Sequence, residues 1–156
     1  MSNLFRCILV LVSGSESSIA AGKLAIQIAK QHNSLLILVH VVDTALRDQM
    51  ARLTGRAPET IQQELEDNGW RYLNYLARLA QSEGVQVKKT LRVGLPLTEI
   101  IAEAEASQAT LIVAGKPVAR GPRGVFQDRI FGRVIDYAPV PILVVKPGAE
   151  AEHGHS

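Results

Sequence analysis

The sequence predicts an α/β domain, an open parallel sheet with helices on both faces, on three observations. Short continuous apolar runs recur at Leu4–Val12, at SLLILVHVV, at TLIVA and at PILVV; runs of this kind suit strands buried on both sides. Between them lie stretches whose apolar residues fall at helical spacing, and strands alternating with helices bring right-handed crossovers and a parallel sheet. The chain has 156 residues, enough for one domain with its own core.

The first run, Leu4 to Val12, carries Phe5, Ile8, Val10 and Val12 and stops at Ser13-Gly14-Ser15. Ser17 or Ser18 can cap the helix that follows, whose inward face is expected to hold Ala21, Leu24, Ala25, Ile28 and Ala29, with Asn33 at its end. Ser34 to Val42 is the second strand. Residues 43–57 form a polar, partly helical stretch broken at Gly55. Pro58 suits the first turn of a helix, where its missing N–H would be unpaired anyway. That helix is expected to run to about Ser82 on a stripe of Ile61, Leu65, Tyr72, Leu73, Leu76 and Leu79, crossing Gly69 at modest expense.

Gly84 is a natural C-terminal cap. Val85 to Val93 is a more polar third strand and therefore an edge. Gly94-Leu95-Pro96 turns into a helix reaching about Ser107, with Leu97, Ile100, Ile101 and Ala104 as its apolar positions. Thr110 to Ala114 is the fourth strand. A loop of Gly, Arg and Pro leads to a short helix ending at Tyr137, with Ile130, Val134 and Ile135 inward, and Pro141 to Val145 is the last strand. The domain is expected over residues 1–147, and residues 148–156 as a disordered tail.

Composition narrows the function classes. An apolar fraction of 47% with 21% charge is globular, and aromatics at 4% leave the core to Ile, Leu, Val and Ala. A net charge of +2 gives no ground for a nucleic-acid or membrane surface. Cys7 is the one cysteine; it sits in an apolar run and reads as a buried, inert thiol. The start of the chain lacks the pattern of a secretory signal. No apolar run approaches the ~20 residues that cross a bilayer. The expectation is a soluble, cytoplasmic protein with no membrane insertion.

Three segments, in order and spacing, resemble the universal stress protein family over about residues 4–147. They are CILVLVSGSESS with its helix and LLILVHVVD; VGLPLTEIIAEAEASQATLIVAG; and IDYAPVPILVVKP. The resemblance implies a five-stranded parallel sheet of order 3-2-1-4-5, the Rossmann-like arrangement of the adenine nucleotide alpha hydrolases. It also implies a homodimer through the last strand, Ile142 to Val145, and a non-enzymatic role in stress response or signalling through a protein partner. The plain alternative for that strand is an edge protected by its neighbouring prolines.

In open parallel sheets, ligands sit beyond the C-terminal strand ends where the strand order reverses. The candidate loops are therefore Ser13 to Ser18, Val41 to Asp43 and Gly115 to Asp128. Some members of the family bind ATP through an aspartate ending the first strand and a G-x2-G-x9-G-(S/T) loop, whose glycines let backbone N–H groups reach phosphate. Here Ser13 stands at the aspartate position and Gly115 at the first glycine. Val118 replaces the second glycine, and Asp128 and Arg129 replace the closing pair. Val118 resists the backbone a glycine allows, and Asp128 sets a carboxylate where phosphate is expected.

Two readings follow. In one, nucleotide binding is weak or absent and the protein acts through protein contacts. In the other, ATP or AMP is held with Val41 near the base, Gly115 near the ribose and phosphates, and Ser13 and Gly14 as further contacts. Gly121-Pro122-Arg123-Gly124 would then meet the phosphates, with Gly121, Arg123 and Gly124 as its contacts. The plain alternative for those residues is a solvated, mobile basic loop, since G-x2-G alone is a weak signal. Ser13-Gly14-Ser15-Glu16-Ser17-Ser18 also resembles, more remotely, the S-G-G-x-D-S loop of ATP pyrophosphatases, with Ser15 and Ser17 replacing the second glycine and the aspartate. His40 reads as a packed or hydrogen-bonded histidine, His153 and His155 as tail residues. Trp70, on the long helix, is a half-buried or partner-contacting side chain. No Ser/His/Asp order or carboxylate pair has hydrolytic spacing; the expectation is no enzyme, at most a weak ATPase, and no metal site.

Overall fold

The central apolar runs are apolar throughout because both of their faces are covered. The computed structural model describes residues 3–118 and 130–146. Strand β1 (Cys7–Leu11) sends Ile8 and Val10 to one side, where they pack with Leu36, Leu38, Leu111 and Val113 under helices α1 (Glu16–His32) and α3 (Pro58–Ser82). Cys7 and Leu9 point the other way, into a second core with Ile37, Val39, Ile112 and Ala104 of helix α4 (Pro96–Ala106). The two-residue strand period thus feeds two cores from one run.

The remaining elements are β2 (Leu35–Asp43), α2 (Thr44–Thr54), β3 (Gln86–Gly94), β4 (Leu111–Gly115) and β5 (Ile142–Val145); residues 130–137 are helical as well. The sheet is wholly parallel in the order β3-β2-β1-β4-β5, as expected. The order reverses between β1 and β4, and the crevice this opens faces the C-terminal strand ends.

Local chemistry sets the boundaries, and some differ from expectation. β1 begins at Cys7, not Leu4; Phe5 instead stacks on His32 with ring centroids 4.3 Å apart. The cap of α1 is Ser15, whose hydroxyl accepts from Ser18 N–H at 3.2 Å, so Ser17 and Ser18 lie buried inside the first turn. Leu24 is 41% exposed and Ile26 takes the inward place expected of it. Asn33 ends α1 in the left-handed conformation, φ 55°.

The unclear stretch 43–57 is helix α2, started by Asp43 and stopped by Gly55 at φ 71°. Pro58 and Pro96 open α3 and α4 at positions where no side chain caps the helix. Ile135, expected inward, is 45% exposed, whereas Val134 is buried. The predicted tail, 148–156, lies outside the described residues. Among the described residues no helix is long and apolar enough to cross a membrane.

Candidate functional site

The crevice is a cleft of about 600 Å³. Its walls come from the Leu11–Ser18 segment after β1, the Val39–Asp43 end of β2, and Ala114, Gly115, Pro117 and Val118 after β4. Leu46, Leu65, Asn68, Tyr72, Pro96 and Ile100 close it from the helices. Ser13, Gly14, Val41 and Gly115, the candidates from three separate loops, therefore meet in one place. Gly121, Arg123 and Gly124 lie outside the described residues, as do Asp128, Arg129, His153 and His155.

The loop after β1 is folded back on itself. Ser13 N–H donates to Ser18 Oγ at 2.7 Å, and that hydroxyl donates to Leu11 O at 3.1 Å. Ser15 N–H donates to Ser13 Oγ at 3.3 Å, and the Ser13 and Ser15 hydroxyls lie 3.1 Å apart. Three N–H groups that a pyrophosphate loop would present, those of Ser13, Ser15 and Ser18, are thus already engaged. The N–H groups of Glu16 and Ser17, at the first two positions of α1, have no carbonyl partner available in the helix itself, and both residues line the cleft.

Gly115 is required by packing. A Cβ there would run into the backbone of Ser17 and Ser18, so its absence lets β4 lie against the first turn of α1 and puts that N-terminus at the cleft. A side chain on Gly14 would likewise run into the Tyr72 ring.

His40 forms part of the wall nearest α3. Its Nδ1 lies 2.7 Å from Val12 O; a carbonyl only accepts, so Nδ1 carries the proton and Nε2 is left as an acceptor. Burial lowers the imidazole pKa, against the opposing effect of the Val12 carbonyl, and so favours the neutral ring. The ring packs against Gly69, where a Cβ would collide with it, and stands edge-on to Tyr72 at 6.4 Å. The glycine that interrupts α3 is there to admit this histidine.

Asp43 is 9% exposed and lines the cleft at the end of β2. Its Oδ1 accepts from Ala45 N–H at 2.9 Å and Leu46 N–H at 3.3 Å, capping α2. Burial raises its pKa, and the two N–H bonds from Leu46 and Ala45 oppose the rise. The sequence reading placed Asp43 only as the limit of a candidate loop and gave His40 and Tyr72 no place at the site. An Asp directly before a helical stretch is an N-cap signature and was the available signal for the first; the others depend on tertiary packing. Among the described residues no group of three His, Cys, Asp or Glu could hold a metal.

Comparison with known proteins agrees with this architecture. A family model, the universal stress protein family, matches residues 4–146. Universal stress protein MJ0531 of Methanocaldococcus jannaschii is 32% identical over 145 residues, spanning 92% of this chain and 84% of the relative. A solved universal stress protein in complex with cAMP superposes with a TM-score of 0.66 at 21% identity, covering 93% of this chain and 99% of the other. A universal stress protein family protein from Arabidopsis thaliana with AMP bound gives 0.62 at 18% identity, covering 92% and 93%. The crossover topology, the loop order and these matches lead to one assignment: the chain belongs to the universal stress protein family.

Proposed function

We propose that this protein is a non-enzymatic, cytoplasmic stress-response module whose cleft takes an adenine nucleoside or mononucleotide, and that it pairs as a homodimer through β5. The observation that carries the reading is the cleft of about 600 Å³ at the strand-order reversal, within the roughly 300–1,000 Å³ of small-molecule sites. Its two ends differ in chemistry. The α1 N-terminus and Gly115 favour an anion at one end; Val41, Leu46, Leu65, Pro96 and Ile100 offer apolar walls at the other. Asp43 repels phosphate from that second end, so a nucleotide lies with its base toward β2 and its phosphate toward α1.

A triphosphate is disfavoured. Val118 stands in place of a loop glycine, Asp128 and Arg129 replace the closing glycine and hydroxyl residue, and Glu16 already sets a carboxylate at the first position of α1. The solved relatives carrying cAMP and AMP support a mononucleotide. For pairing, the support is that β5 is an edge strand on which Leu143 and Val144 are 36% and 37% exposed.

A second reading, a module that uses protein contacts alone, is favoured by the loop of Ser13, Ser15 and Ser18 satisfying its own hydrogen bonds. Calorimetry and native mass spectrometry with adenosine, AMP and ATP separate the two. The first reading expects AMP to bind at micromolar to submillimolar concentration and ATP to bind no more tightly. No heat and no adduct at millimolar AMP would leave only the second.

A further inference from the structure

At the base end of the cleft one carboxylate oxygen is left without a partner among the described residues. Asp43 Oδ1 is committed to the α2 cap, while Oδ2 makes no hydrogen bond to any described residue. Its partner in register on β3 is Gly94, and the space above that glycine is taken by the Glu99 carboxylate, which brings no donor. A purine with an amine at C6 brings donors to such a surface, whereas a purine with a carbonyl at C6 sets lone pair against lone pair.

We propose that Asp43 determines base selectivity, its Oδ2 accepting from the exocyclic amine of a 6-aminopurine and rejecting 6-oxopurines. The assignment rests on the adenine reading of the cleft and deepens it. It also explains how Asp43 can cap α2 and serve a ligand at once: one oxygen does each.

The cap makes the test clean. Asparagine caps helices as well as aspartate does, so in Asp43→Asn the amide oxygen stays with Ala45 and Leu46 and the NH2 group takes the place of Oδ2. An acceptor becomes a donor with the fold retained, which a melting curve checks. Calorimetric titration of wild type with AMP and with IMP is expected to give at least about tenfold tighter binding of AMP, the scale set by leaving a buried acceptor unpaired. In Asp43→Asn the ratio is expected to fall to about one or to invert. Equal binding of AMP and IMP by wild type, or a ratio unchanged in a folded Asp43→Asn, overturns the role of Asp43 and leaves the nucleotide reading intact. Binding of neither purine overturns both.

Discussion

A methyl group added at Gly115 would enter the backbone of Ser17 and Ser18, and backbone cannot rotate aside as a side chain can. Gly115→Ala is therefore expected to lose about 3 kcal/mol of stability by overpacking, measured by urea unfolding; a variant as stable as wild type would show that the glycine is there for a ligand alone. Glu16 acts at the same corner with opposite consequence. It complements the α1 dipole but stands where a phosphate would lie. Glu16→Gln is expected to tighten AMP severalfold, to leave adenosine unchanged, and to lower stability by about 0.5 kcal/mol; isothermal titration of both ligands reads the difference.

His40 gives the cleft a pH dependence. Its folded pKa lies below the ordinary 6.5, so between those values the unfolded chain binds more protons. The stability contribution of the neutral ring is fully present above pH 6.5 and is lost as pH falls below it. Asp43 runs the other way: its folded pKa is raised above 3.8, so its contribution declines as pH rises through that range. Melting temperatures from pH 8 to pH 5 are expected to fall in wild type and to fall less in His40→Gln. Equal slopes would mean that His40 is not held neutral.

At the scale of elements, the exposed edge β3 is tied to α4 by charge. Arg92 donates to Glu103 at 2.8 Å and to Glu99 at 3.1 Å, and the Glu103 side chain is only 6% exposed. Removing one partner leaves the other buried and unpaired. Arg92→Met is expected to cost about 3 kcal/mol, and adding Glu103→Met to restore most of that, since buried pairs are often replaceable by apolar side chains. Denaturant unfolding of both variants checks it; a double variant no more stable than the single one would contradict it. The opposite edge, β5, carries the pairing proposal. Leu143→Lys with Val144→Lys is expected to give folded monomer by light scattering, and an undisturbed dimer would place the interface elsewhere.

For the molecule as a whole, the sheet was legible because its central strands need apolar residues on both faces, which no other element requires over so short a length. Helix caps at Asn33 and Gly55 and the prolines at 58 and 96 were legible for equally local reasons. What escaped was tertiary. Leu24 and Ile26 are both apolar, and only the rotation of α1 on the sheet decides which is buried. His40 gives no sign in sequence that Gly69, far along the chain, makes room for it. Ser13, Gly14, Val41 and Gly115 could be gathered because strand topology dictates where loops converge, whereas Asp43 looked like the end of a strand until it was seen capping α2 inside the cleft.

The central claim is that the crevice between β1 and β4 is a binding site for an adenine mononucleotide. Amide chemical shifts recorded during a titration with AMP test it most directly. The account predicts saturable shifts at Ser13 to Ser18, Val41 to Asp43 and Gly115, with β5 and the far end of α3 unmoved. Shifts confined to other surfaces, or none at millimolar AMP, would contradict it.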